Sequence, residues 1–148
     1  MQKDISSKPK YVKEIEDGAT SGVDSSITLP DGVLSIGDCA FMGCSRLSNV
    51  RLSDNLKTIG QNAFARCVEL PSIEFPESVR EIGGAAFCYC SKLREIELPR
   101  KLNAIRDYLF YDCVGLTSVV ISQGVGAIGR SAFEGCIGLT SITIPSSV

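Results

Sequence analysis

Residues 47–69 read LSNVRLSDNLKTIGQNAFARCVE, and residues 93–115 read LREIELPRKLNAIRDYLFYDCVG. Aligned end to end, the two stretches put Leu47 over Leu93, Val50 over Ile96, Leu52 over Leu98 and Leu56 over Leu102. Further along, Ile59 meets Ile105, Phe64 meets Phe110 and Cys67 meets Cys113. Working outward, phenylalanine recurs at Phe41, Phe64, Phe87, Phe110 and Phe133, and cysteine three residues after each, at Cys44, Cys67, Cys90, Cys113 and Cys136. Five copies of a 23-residue unit therefore follow one another without insertion or deletion. A fixed period of 20 to 50 residues is the sequence mark of a stacked repeat architecture.

Each unit reads L-x-x-[IV]-x-[LIF]-[PS]-x-x-[VL]-x-x-I-G-x-x-A-F-x-x-C. Its opening alternates apolar and polar residues, as a short strand with one buried face does. Proline or serine closes that strand at Pro30, Ser53, Pro76, Pro99, Ser122 and Pro145. Proline has no N–H for a ladder and suits a strand end. Gly37, Gly60, Gly83 and Gly129 mark the next bend, where a positive φ costs glycine little, and Arg106 takes that place once, so a strictly glycine-only backbone is not required there. A single unit cannot bury its apolar side alone, so the units must stack. Each buried Leu, Ile, Val or Phe then contributes roughly 1.5–3 kcal/mol before entropy is counted.

The L-x-x-I-x-L-P, V-x-x-I-G-x-x-A-F and x-x-C segments resemble the BspA-like, or Treponema-type, leucine-rich repeats. The resemblance covers about residues 24–148. It implies a repeat solenoid, mostly β and turn with little helix, carrying a parallel β-sheet on its concave side. Members of that family are mostly cell-surface proteins of bacteria and some parasitic protists, several of them adhesins. The resemblance thus implies a cell-surface or extracellular setting.

The reading divides the chain in two: residues 1–23 as a disordered lead and degenerate N-terminal cap, and 24–148 as the repeat domain, five repeats plus a partial sixth. Val12-x-x-Ile15 keeps the spacing of Val33-x-x-Ile36 but sits two residues out of register. Terminal repeats need a polar outer face, which such a turn would supply. No comparable cap precedes Val148, so the expectation is a piece of a longer array, with self-association through the open C-terminal end as the other reading.

A formal charge of -2 gives no basic stripe for nucleic acid. No apolar run approaches the roughly 18–20 residues that span a bilayer, and the first 25 residues lack the apolar core of a secretion signal. Neither nucleic acid nor membrane insertion is expected. The chain holds no histidine, the commonest general acid–base group. It also lacks a phosphate-cradling glycine loop and a nucleophile elbow. We therefore expect no catalytic residues, no cofactor and no enzyme.

Seven cysteines cannot all pair internally. Five belong to the repeat, where a buried thiol acts as a small apolar group with a weak S–H donor. Stacked turns would bring neighbouring Cα atoms to about 5 Å, within disulfide range, so a pair such as Cys44–Cys67 stays open. The period accounts for all five without oxidation, and a reduced column is expected. Cys39 and Cys88 lie in other columns, and Cys88-Tyr89-Cys90 lacks the second pair or the histidines that a zinc site wants, so no metal is expected.

Solenoids offer their concave sheet as a binding surface. The outward strand positions form two rows, Thr28, Arg51, Glu74, Glu97, Val120 and Thr143 beside Ser26, Asn49, Ser72, Glu95, Ser118 and Ser141. Like charges on adjacent strands disfavour folding, so Glu74 beside Glu97 suggests a basic segment of a partner protein. A merely solvated face is the plainer reading. Neither row holds an aromatic residue, although binding hot spots favour Trp, Tyr and Arg. The two functions that follow are a protein-binding module, with adhesion as one use, and a structural spacer or self-assembling array with no specific ligand.

Overall fold

The computed structural model describes residues 25–148, together with the backbone of Glu14–Ile15. The rest of the expected lead and cap lies outside the described residues. The described chain winds as a parallel β-solenoid with one turn every 23 residues or so, and it contains no α-helix. Each coil has three sides, and each side stacks on its counterparts by a different set of backbone hydrogen bonds.

The first side carries the concave strands β2 (Ser26–Thr28), β4 (Asn49–Arg51), β7 (Glu95–Glu97) and β9 (Ser118–Val120). β2 pairs with β4 in parallel, Ile27 opposite Val50, and β7 pairs with β9, Ile96 opposite Val119. Six strands were expected here, but Ser72–Glu74 and Ser141–Thr143 stay out of the ladder. Three features of the third coil work against pairing. Ser48 and Thr117 each donate both the backbone N–H and the side-chain hydroxyl to the preceding coil, to the carbonyls of Ser25 and Arg94. Pro71 occupies that column and can donate neither. On its other side, Glu74 lines the same recess as Glu97, and like charges there disfavour pairing. The larger Phe75 also replaces leucine or isoleucine, and its ring turns edge-on to Phe87 at 5.8 Å.

The second side is a sheet that the sequence reading did not foresee. β1 (Glu14–Ile15), β3 (Ser35–Ile36), β5 (Thr58–Ile59) and β6 (Glu81–Ile82) form one parallel sheet, in that order. β8 (Ala104–Ile105) and β10 (Ala127–Ile128) form another. Ile15 pairs with Ile36, two residues short of the 23-residue period.

Gly37, Gly60, Gly83 and Gly129 do not take the positive φ expected of the bend; what glycine supplies at Gly60, Gly83 and Gly129 is close approach between coils. The N–H groups of Gly60, Gly83 and Gly129 each donate to the isoleucine carbonyl of the preceding coil, at 2.8, 2.8 and 2.7 Å. Coils approach so closely there that a Cβ on Gly60 would stand 2.6 Å from the Asp38 nitrogen, and one on Gly83 2.5 Å from that of Gln61. Arg106 does carry a Cβ, and at this coil the bond to Ile82 is missing and the strands part. The bend survives the side chain, but the ladder does not.

The third side, residues 38–44 and their counterparts, is a ribbon of turns. Its N–H groups donate forward to the next coil: Cys39 to Gln61, Phe41 to Ala63 and Gly43 to Ala65, all at 2.8 Å. The same three bonds recur at each later interface, through Asp112 to Glu134. Left-handed backbone keeps this ribbon from continuing as helix. One such column runs Cys39, Asn62, Ala85, Tyr108 and Ser131, and the other Gly43, Arg66, Tyr89, Asp112 and Gly135, with φ between 51° and 78°.

The core lies between the three sides. Phe41, Phe64, Phe87 and Phe110 are fully buried, and with Phe133 they stack as near-parallel rings at 5.1, 5.4, 5.9 and 5.6 Å. The leucine, valine and isoleucine columns fill the space around them.

Candidate functional site

The expected concave residues Thr28, Asn49, Arg51, Ser72, Glu74, Glu95, Glu97, Ser118, Val120 and Thr143 are all solvent-exposed. Alternation explains this, since the residue between each pair along the paired strands (Ile27, Val50, Ile96 and Val119) turns toward the core. The ladders bring Thr28 beside Arg51, and Glu95 and Glu97 beside Ser118 and Val120. Ser72 and Glu74 lie between the two pairs, on the unpaired segment.

That segment divides the face into two shallow depressions. One, of about 570 Å³, is lined by Glu74, Glu77, Glu95, Glu97, Arg100, Ser118 and Val120 among others. The other, of about 520 Å³, is lined by Thr28, Asn49, Arg51, Asp54 and Glu74. The first is carboxylate-rich; the second sets Arg51 against Asp54 and Glu74. Glu77 and Arg100 were not picked out from sequence, because they follow the strand-closing prolines, where alternation gives no facing. Val120, 53% exposed, is the one apolar side chain that the four described concave strands present outward.

The periodic cysteines point inward. Cys67, Cys90, Cys113 and Cys136 each donate the S–H to a phenylalanine carbonyl of the preceding coil, at 3.3, 3.2, 3.0 and 3.0 Å. These four thiols thus bond to backbone rather than to one another, and no disulfide joins any of the seven cysteines. Burial pushes Cys67 up to about 12, with neighbouring Cys44 adding to the shift. Burial likewise raises Cys90 and Cys113 well above the ordinary thiol range. Such groups stay protonated and make poor nucleophiles or metal ligands. Among the described residues no group of three or more Cys, Asp or Glu is placed to hold a metal ion.

A second cluster, which the sequence reading passed over, lies on the turn ribbon. Tyr89 and Tyr108, 37% and 40% exposed, both pack edge-to-face on Tyr111, at 5.6 and 5.7 Å between ring centres. The Arg66 guanidinium lies over the Tyr89 ring, 4.8 Å from its centre. Tyr89 and Tyr108 hold φ values of 60° and 58°, a region that costs a residue other than glycine roughly 1–2 kcal/mol. The signal available in the sequence was the interruption of two columns that elsewhere hold mostly small or polar residues.

These features define the class: a solenoid of leucine-rich repeats, with strands on a concave side and turns elsewhere. Six copies of the BspA type leucine rich repeat region match residues 13–140, and the chain belongs to that family. It is similar to the T. pallidum leucine rich repeat protein TpLRR, at 30% identity and a TM-score of 0.69 over 85% of this chain and 71% of that one. It also resembles a leucine rich cell surface protein from Faecalibacterium prausnitzii A2-165, at 31% identity and a TM-score of 0.75. That match covers 89% of this chain but 42% of the other, so the chain spans less than half the relative's length. The pneumococcal vaccine antigen PcpA shares the fold, at 22% identity and a TM-score of 0.59 over 92% of this chain and 43% of its own. None of the curated proteins matches this chain.

Proposed function

We propose that this chain is a protein-binding module whose concave face receives a basic segment of a partner, within a protein displayed at the cell surface or exported. The observation that carries this reading is the carboxylate-lined depression. Glu74, Glu77, Glu95 and Glu97 are exposed and line one recess, with Arg100 as the cation among them. Like charges gathered in a recess disfavour one another, and a cationic ligand would relieve that. The Faecalibacterium relative, described as a cell surface protein, supports the location. Adhesion is the use that best fits a displayed, extended face.

In this reading the chain binds and does not catalyse. Its column thiols are held as neutral hydrogen-bond donors to the backbone, where they serve packing. The test is the double charge reversal Glu74→Lys/Glu97→Lys, assayed against a panel of purified surface and matrix proteins. Binding is expected to fall at least about tenfold, the loss of roughly 1.4 kcal/mol. The unfolding midpoint should hold. Unchanged binding to a panel member that the parent chain captures would overturn the concave-face reading, and no capture at all would favour a spacer with no specific ligand.

A further inference from the structure

The tyrosines of the turn ribbon have no part in the concave face. They lie on another side of the coil and occupy positions that do not favour them. Both columns are left-handed in every described coil, and the other coils fill them with Gly43, Gly135 and Asn62 but also with Cys39, Ala85, Ser131, Arg66 and Asp112. The backbone is thus set by the fold, and a bulky ring is the least favoured occupant of it. What sets these coils apart is the exposed aromatic surface that they carry there.

The chemistry around the rings indicates what that use is. Asp112 follows Tyr89 in one column, and Glu134 follows Tyr111 in the neighbouring one, so carboxylates adjoin the rings on the next coil. Their negative field raises the Tyr111 hydroxyl above its ordinary range, Asp112 acting first and Glu134 second. The Tyr89 ring already takes a guanidinium, that of Arg66. Aromatic faces beside carboxylates attract cations through both the ring quadrupole and the net charge.

We propose that Tyr89, Tyr108 and Tyr111, with Asp112 and Glu134, form a second docking site, which takes an arginine or lysine side chain of a partner protein. The inference does not depend on the concave reading, and its test separates the two. The chain has no tryptophan, and three of its four tyrosines belong to this cluster, so tyrosine emission reports on it directly. The probe is a blocked peptide of alternating glycine and arginine, titrated into the millimolar range at low salt. Its counterpart with citrulline, which is neutral and nearly isosteric, serves as the control.

The arginine peptide should change the emission saturably, and the citrulline peptide should not. Tyr89→Gly and Tyr111→Ala should each weaken binding about tenfold, and Asp112→Asn about threefold to fivefold, in the range of desolvated cation–aromatic contacts. Because φ is positive at position 89, Tyr89→Gly should melt at or above the parent temperature. Glu74→Lys/Glu97→Lys should leave this titration unchanged. The proposal is overturned if citrulline binds equally well, if no saturable change occurs, or if the tyrosine variants bind as the parent does. It is likewise overturned if Tyr89→Gly melts several degrees lower, which would make the ring a structural element.

Discussion

At the scale of the residue, the cysteine column shows how one side chain can close a coil. Each thiol is small enough for the turn and still supplies a donor to a buried phenylalanine carbonyl of the coil before it. The identity and facing of these cysteines were legible in the sequence, because their spacing is strict. Their partners were not, since an S–H bond to a carbonyl 26 residues back leaves no mark in the column itself. A pH dependence follows. In the unfolded chain these thiols ionise near about 8.5, whereas in the folded chain burial holds Cys67 to about 12 and Cys113 above its usual range. Below pH 8 both states keep the protons, and the thiols add no slope. Above pH 9 only the unfolded state loses them, so stability falls as pH rises, by up to about 1.4 kcal/mol per pH unit for each thiol. Urea unfolding between pH 7 and 10.5 should show a steeper alkaline decline in the parent chain than in Cys67→Ala/Cys113→Ala. Equal slopes would mean that the thiols are not held protonated.

At the scale of the element, single residues contribute to where sheets stop. Pro71 removes a donor from the concave ladder, and Arg106 holds β6 and β8 apart at a contact made elsewhere by glycine. The concave strands were readable because three residues suffice for one alternation. The second sheet was not, because strands of two residues show no period, and Val-x-x-Ile reads equally well as a turn. The sequence also made Arg106 look harmless, since tolerance of a side chain at a bend says nothing about the distance to the coil beneath. Restoring the missing groups should therefore stabilise the fold. Arg106→Gly should recover two ladder bonds at about 0.5–1.5 kcal/mol each, less about 0.5–1 kcal/mol for glycine's added freedom when unfolded. The exposed Arg106–Glu81 ion pair, 3.3 Å long, is a small loss beside this. Pro71→Thr should add about 1 kcal/mol by supplying both the N–H and the hydroxyl toward Ser48. In Arg106→Gly the amide at position 106 should exchange at least tenfold more slowly than in the parent chain, and in Pro71→Thr the new amide should exchange at least tenfold more slowly than an open loop amide; exchange as fast as in a loop would show that the break has another cause.

At the scale of the whole molecule, stability is carried by contacts between neighbouring coils, as in repeat proteins generally. The phenylalanine column makes this measurable. Phe87 is fully buried between Phe64 and Phe110 and also meets Phe75, whereas Phe133 is part-buried and stacks on Phe110 alone. Phe87→Ala should cost about 3–5 kcal/mol, and Phe133→Ala less than half of that, in urea unfolding; similar costs would deny that the stack is cooperative at its centre. The concave face was legible at this scale, as a row of outward positions, but its division into two depressions was not. That division arises from Pro71, Glu74 and Phe75 acting together against their neighbours. The stacking itself can be observed most directly by nuclear Overhauser contacts in solution. The account predicts parallel cross-strand contacts between Ile59 and Ile82 and between Ile96 and Val119, along with ring-to-ring contacts from Phe64 to Phe87. Antiparallel cross-strand patterns, or a Phe64 ring with no contact to Phe87, would contradict it.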